Sequence, residues 1–168
     1  VDGASTCNLC PAGREGLNGQ SCSPCRSGFF SPSINSSCMK CPAGFKAPKT
    51  GSSACEPCPG GFYSEEGAPT CIQCPVGKIS SGAGGKCRQC DAGSFAKDST
   101  CELCPSGTFA PPGSSVCQEC LRGTYSLGGS GSCLHCRAGT VSMVDGASTC
   151  NLCPAGREGL NGQSCSPC

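Results

Sequence analysis

The 168-residue sequence has no Trp, two Tyr, six Phe and a single His. Its apolar fraction of 36% counts cysteine, so ordinary hydrophobic side chains are scarcer than that figure implies. A chain of this length normally buries a continuous core, and this one lacks the side chains to build one. The shortage argues against a nucleotide-binding α/β enzyme, a helical bundle or a folded cytosolic catalyst. Charge is sparse as well: 14% of residues are charged, and they balance to +1. Without a basic run there is no phosphate-neutralising footprint, so no nucleic-acid partner is expected. No apolar stretch reaches the roughly 18–20 residues of a membrane span, so none is expected in this segment. No secretory leader is visible, and Val1 reads as the start of a mature chain or of a fragment.

In their place stand 22 Cys, 26 Gly and 14 Pro. A cysteine content above roughly 8–10% marks a disulfide scaffold of the kind secreted proteins use when their cores are small. The location read from this is extracellular, either secreted or at a cell surface.

The cysteines are periodic. All 22 fall into C-x-x-C pairs, with first members Cys7, Cys22, Cys38, Cys55, Cys71, Cys87, Cys101, Cys117, Cys133, Cys150 and Cys165, so the step is about 16 residues. Three residues after the second Cys comes a glycine, from Gly13 and Gly28 through to Gly156, in every complete unit. Two residues later stands Phe30, Tyr63, Ile79, Phe95, Phe109, Tyr125 or Val141. A two-residue step from a bare Gly to a β-branched or aromatic residue is strand periodicity, and the Gly/Ser/Pro/Asn cluster that follows reads as a turn. Each unit is therefore expected to be a short β-hairpin whose one hydrophobic residue packs on its disulfide. Two places break the pattern. Phe45 comes one position early, leaving Lys46 in the apolar slot, and in the GREGLNG loops that slot holds Glu15 or Glu158. The GREGLNG unit is either a degenerate hairpin or one that makes a contact the others do not.

A longer period contains the short one. Val1–Cys25 and Val144–Cys168 are the same 25 letters, offset by 143 positions. We read residues 1–143 as one long repeat of nine units and 144–168 as the start of the next. The competing reading is an artificial join of a periodic sequence onto itself.

Nine is odd, and that bears on how the cysteines are used. Tetrathiolate zinc sites taken two pairs at a time fail to tile nine pairs, as does a 1–3, 2–4 disulfide pattern. A redox C-x-x-C needs one privileged pair, and here eleven are equivalent. Closing each C-x-x-C on itself tiles, but leaves the hairpins unstapled. The remaining simple scheme joins the second Cys of one pair to the first of the next: Cys10–Cys22, Cys25–Cys38, Cys41–Cys55, Cys58–Cys71, Cys74–Cys87, Cys90–Cys101, Cys104–Cys117, Cys120–Cys133, Cys136–Cys150 and Cys153–Cys165. Cys7 and Cys168 are left to pair with neighbouring copies. Mixed schemes pass the same test. One aromatic residue and one staple cannot offset the ordering of a 16-residue unit, so neighbours must stack. The fold class read from the chain is small, disulfide-rich and all-β: an elongated solenoid-like rod of short hairpins without helices.

The stretches CEPCPGGFYSEEGAPTC and CELCPSGTFAPPGSSVC resemble the ephrin-receptor-like cysteine-rich repeat, a family similar in turn to tumour-necrosis-factor-receptor and EGF-like modules. The resemblance extends over the whole chain and implies an extracellular, disulfide-linked, β-rich rod without specifying a ligand. A near-identical long tandem array is more similar to the shaft of a surface fibre, such as ciliary mastigonemes, than to a receptor ectodomain, whose repeats diverge. The expected function is thus an extracellular structural protein that polymerises with itself and with neighbouring repeats, and the alternative is a ligand-binding or adhesive receptor ectodomain. Asn35-Ser36-Ser37 is an N-glycosylation sequon at a hairpin tip, and O-glycans are expected at Ser- and Pro-rich tips. No catalytic residues, metal ligands or cofactors are expected: His135 is a lone spacer inside a C-x-x-C, without triad partners.

Overall fold

The computed structural model describes residues 9–16 and 21–168. Cys7 lies outside the described residues. Among the described residues, twenty short strands form ten antiparallel two-stranded ladders in sequence order, and no helix occurs. The chain is a small, disulfide-rich, all-β protein.

One hairpin explains the others. In the Cys25–Cys38 hairpin, Phe29–Phe30 pairs with Met39–Lys40, with Phe29 opposite Lys40 and Phe30 opposite Met39. The two residues inside each C-x-x-C are thus the return strand, held between two cysteines. The outgoing strand is the residue pair just after the conserved glycine. That glycine is not itself in the strand, as the two-residue step suggested. It is the third residue of a turn: Phe45 N–H bonds the Pro42 carbonyl at 3.1 Å and Thr108 N–H the Pro105 carbonyl at 3.2 Å. Gly44 and Gly107 then take φ of 88° and 84°, the left-handed value that a type II turn demands at this position. Ladder pairing continues just beyond, where Cys41 N–H donates to the Gly28 carbonyl at 2.9 Å.

The shortest step makes the most regular hairpin. Between Cys90 and Cys101 the strands lengthen to Ser94–Lys97 and Thr100–Leu103, and Asp98 turns the tip at φ 53°. With fewer tip residues to place, the ladder runs up to the turn, and Lys97 Nζ sits 3.0 Å from Glu102 Oε2.

The chain divides into two compact units, Val1–Cys74 with Ser80–Cys87 and Pro75–Ile79 with Arg88–Cys168. In the first, each conserved glycine donates its N–H to the following hairpin: Gly13 to Ser31, Gly28 to Ala47, Gly44 to Ser64 and Gly61 to Ser80, at 2.8–2.9 Å. Each hairpin tip bonds back to the buried cysteine before it, Gly51 to Cys25, Gly67 to Cys41 and Ala83 to Cys58. The second unit repeats the scheme, with Gly93 donating to Ala110, Gly107 to Ser126, Gly123 to Ser142, and Gly113, Gly129 and Gly146 donating to Cys90, Cys104 and Cys120. Main-chain hydrogen bonds hold neighbouring hairpins together, so stacking needs little hydrophobic surface. Parallel bridges such as Phe30 with Ser52 and Phe109 with Ser130 run along the same seam.

Candidate functional site

The stacking seam is where the residues do most, and the cysteines set it up. Ten disulfides each join the second Cys of a pair to the first of the next: Cys10–Cys22, Cys25–Cys38, Cys41–Cys55, Cys58–Cys71, Cys74–Cys87, Cys90–Cys101, Cys104–Cys117, Cys120–Cys133, Cys136–Cys150 and Cys153–Cys165. Cys10, Cys25, Cys41, Cys58, Cys90, Cys104 and Cys120, all second members, are buried, while first members such as Cys38 and Cys117 are half-buried. In these seven staples the second Cys is the inner end and the first Cys the outer one, whereas Cys74, Cys136 and Cys153 are themselves half-buried. Cys168 is unpaired and exposed.

Of the seven apolar slot residues, only Ile79 and Val141 are buried, while Phe30, Tyr63, Phe95, Phe109 and Tyr125 are half-buried. The deepest position is the one after them, which sequence reasoning passed over. Ser31, Ala47, Ser64, Ala110 and Ser126 are at 0% exposure and Ser80 and Ser142 are nearly so. This slot holds Ser, Ala or Gly in every complete unit, a signal as regular as the glycine. Its constraint is size. Ser64 Oγ donates to the Phe45 carbonyl and Ser126 Oγ to the Thr108 carbonyl, both at 2.8 Å, each reaching the hairpin before it. Ala47 and Ala110 fill the same slot with no hydroxyl, and Ser80 Oγ finds no partner among the described residues.

Glycine is required for a second reason besides φ. A methyl group on Gly28 would overlap the Gly67 carbonyl oxygen, and one on Gly107 that of Gly146. These contacts are with the second hairpin along, so three consecutive hairpins meet at these two glycines.

Two of the three irregular slot residues, Lys46 and Glu15, have polar partners. Lys46 lies opposite Glu56, with Nζ 3.7 Å from Oε2. Glu15 reaches out of its hairpin, and its Oε2 accepts the Cys38 N–H at 2.9 Å. Nearby, Asn35 takes, at φ 61°, the tip position that glycine fills in most of the other hairpins. Its N–H donates to the Cys10 carbonyl and its Oδ1 accepts the Cys10 N–H, each at 2.9 Å. Asn35 is exposed, and with Glu15, Gly16, Ser36 and Ser37 it lines a small polar recess of about 110 Å³.

The return strands face outward, carrying Met39, Ile72, Leu134 and Leu152, the last 83% exposed. His135 is on one of them, opposite Thr124 and exposed. Open grooves separate some hairpins in the second unit. One of about 380 Å³ is lined by Phe109, Gln118, Leu121 and Cys133, and another of about 440 Å³ by Tyr125, Arg137, Thr140 and Cys150. They are the same groove one hairpin apart. Among the described residues no three His, Cys, Asp or Glu gather as a metal site, and no helix is long and apolar enough to cross a membrane.

Residues 15–54 match the family model described as tyrosine-protein kinase ephrin type A/B receptor-like. The match covers the Cys25–Cys38 hairpin and most of its two neighbours, and the same cysteine, glycine and small-residue register continues through the rest of the chain. A comparison with curated protein sequences finds no match. The repeated disulfides and the matched family together point to an extracellular or cell-surface location.

Proposed function

Because residues 15–54 match the ephrin-receptor-like family and the same cysteine register runs through the rest of the chain, we propose that the protein is an extracellular structural protein, the shaft of a fibre, filament or stalk. The observation that carries the reading is the letter-for-letter identity of Val1–Cys25 and Val144–Cys168. Ligand recognition diversifies surfaces, whereas a shaft needs each copy to pack on the next in the same way. In this reading residues 1–143 are one period of nine hairpins, and 144–168 open the next. Cys7 and Cys168 pair with neighbouring copies, and the polymer is made of itself. The protein has no catalytic role. Its mechanism is mechanical: a staple in every hairpin limits extension and shortens the segments that a protease can open.

Glycosylation belongs to the same proposal. Asn35 holds its Oδ1 on the Cys10 N–H, while an N-linked glycan attaches through Nδ2 and leaves that oxygen an acceptor. The tip is exposed, so a sugar there and the clamp to Cys10 are compatible. Electron microscopy of the native material tests the fibre reading. Ordered filaments with an axial period are expected, and isolated flexible chains would defeat it.

The receptor-ectodomain reading rests on a different observation, the matched family's description together with the Phe109–Leu121 groove. The full-length gene separates the two. Many copies of the 143-residue period favour the shaft, and divergent repeats ahead of a membrane span favour the receptor.

A further inference from the structure

Residues 144–168 repeat 1–25, so each position in the second copy has a mate whose contacts are known. The mates of Cys153, Gly156, Glu158 and Cys168 are Cys10, Gly13, Glu15 and Cys25. All four of those mates are engaged by the stretch Arg26–Cys55. Cys10 is clamped by Asn35. Gly13 donates to the Ser31 carbonyl and abuts the Gly51 carbonyl. Glu15 accepts the Cys38 N–H. Cys25 is joined to Cys38, and its carbonyl accepts the Gly51 N–H at 2.7 Å.

In the second copy the same face is bare. A methyl group on Gly156 would meet nothing within 4 Å, Cys153 is half-buried where Cys10 is buried, and Cys168 is exposed. We propose that Cys153, Gly156, Glu158 and Cys168 form a docking face for a second copy of the sequence Arg26–Cys55, delivered in the same chain. This deepens the shaft reading and rests on it.

The geometry selects covalent continuity over end-to-end assembly of separate molecules. In another molecule, the Arg26–Cys55 stretch already spends these groups on its own residues 10–25. The Cys38 N–H is on Glu15, the Ser31 carbonyl is on Gly13 and the Cys38 sulfur is on Cys25. It could dock elsewhere only by releasing its own first hairpin. A copy that follows Cys168 has those groups unspent. Forming its disulfide removes two protons and two electrons from the thiols of Cys168 and the incoming cysteine. A small-molecule disulfide takes them up and is reduced to two thiols.

The test extends the full 168-residue chain by a second copy of residues 26–55 and oxidises it with a glutathione redox pair. Peptide mass mapping should find Cys168 linked to the appended copy of Cys38. Amide exchange at Gly156 should slow by at least about tenfold relative to the unextended chain. Glu158→Gln in the extended protein should speed exchange at the appended cysteine's N–H while leaving the Cys38 amide unchanged. Linkage of Cys168 to any other cysteine, or a Gly156 amide that exchanges at the unextended rate, overturns the proposal. So do unextended chains that sediment as end-to-end dimers sensitive to Glu158→Gln. Native material without filaments defeats the shaft reading and this docking face with it, whereas a wrong Cys168 linkage in the extended chain defeats the docking face alone.

Discussion

Asn35 meets Cys10 twice, donating its main-chain N–H to the Cys10 carbonyl and accepting the Cys10 N–H on Oδ1, each at 2.9 Å. Six other hairpin tips make only the first of these bonds, through Gly51, Gly67, Gly113, Gly129 and Gly146 or through Ala83. Asparagine suits the place because it tolerates a left-handed φ and carries its own acceptor.

Asn35→Gly keeps the backbone conformation but strips the buried Cys10 N–H of its partner, and should cost about 1–3 kcal/mol. Asn35→Ala adds the left-handed penalty of about 1–2 kcal/mol and should be the worse of the two. Chemical denaturation ranks them, and a Gly variant as stable as the parent would remove the side chain's structural role.

The conserved glycines allow a comparison between two positions with the same φ. Gly107→Ala should destabilise by well over the roughly 1–2 kcal/mol left-handed cost, because its methyl meets the Gly146 carbonyl. Gly139→Ala has nothing within 4 Å and should show only the conformational part. Equal losses in thermal or denaturant unfolding would mean that the third hairpin exerts no steric demand.

The small-residue slot makes opposite predictions for two buried serines. Ser126→Ala gives up the 2.8 Å bond to the Thr108 carbonyl and should cost about 1 kcal/mol. Ser80→Ala removes a hydroxyl that has no partner and should be neutral or stabilising. At the same slot Ala110→Leu should cost at least about 1–3 kcal/mol by overpacking. Midpoints of unfolding decide all three.

Replacing Cys104 and Cys117 together by Ser opens one staple, and should destabilise by about 2–5 kcal/mol. The loss should be local. Proteolysis followed by mass spectrometry is expected to nick within residues 105–116, with the Cys41–Cys55 hairpin intact. Cleavage spread evenly along the chain would show that the hairpins unfold as a single unit.

Much of this was legible in the residues themselves. Cysteine spacing, a glycine three places on and a turn-rich stretch before the next pair are all local, and together they specify a chain of stapled hairpins. The reading went astray where the meaning of a residue lies in another hairpin. The two-residue step from Gly28 to Phe30 reads as strand periodicity, yet Gly28 stands in a turn. Its turn is local, closed by the Phe29 N–H on the Arg26 carbonyl, but its close contact with Gly67 depends on a segment 39 positions away. The Ser/Ala slot was overlooked because burial usually goes with large apolar side chains. Here the most buried residues are the smallest, since backbones approach closely at the seam. Glu15 seemed an exception to the apolar slot, but its use becomes visible only when Cys38 is beside it.

The sequence alone therefore determined the class, the period and the absence of a conventional core, because each follows from composition and spacing along one hairpin. Tertiary structure decided how hairpins recognise one another. That recognition is carried by main-chain N–H and C=O groups, which every residue has and no letter of the sequence distinguishes. It also decided which small side chains must stay small, because steric demand at the seam comes from a backbone two hairpins away.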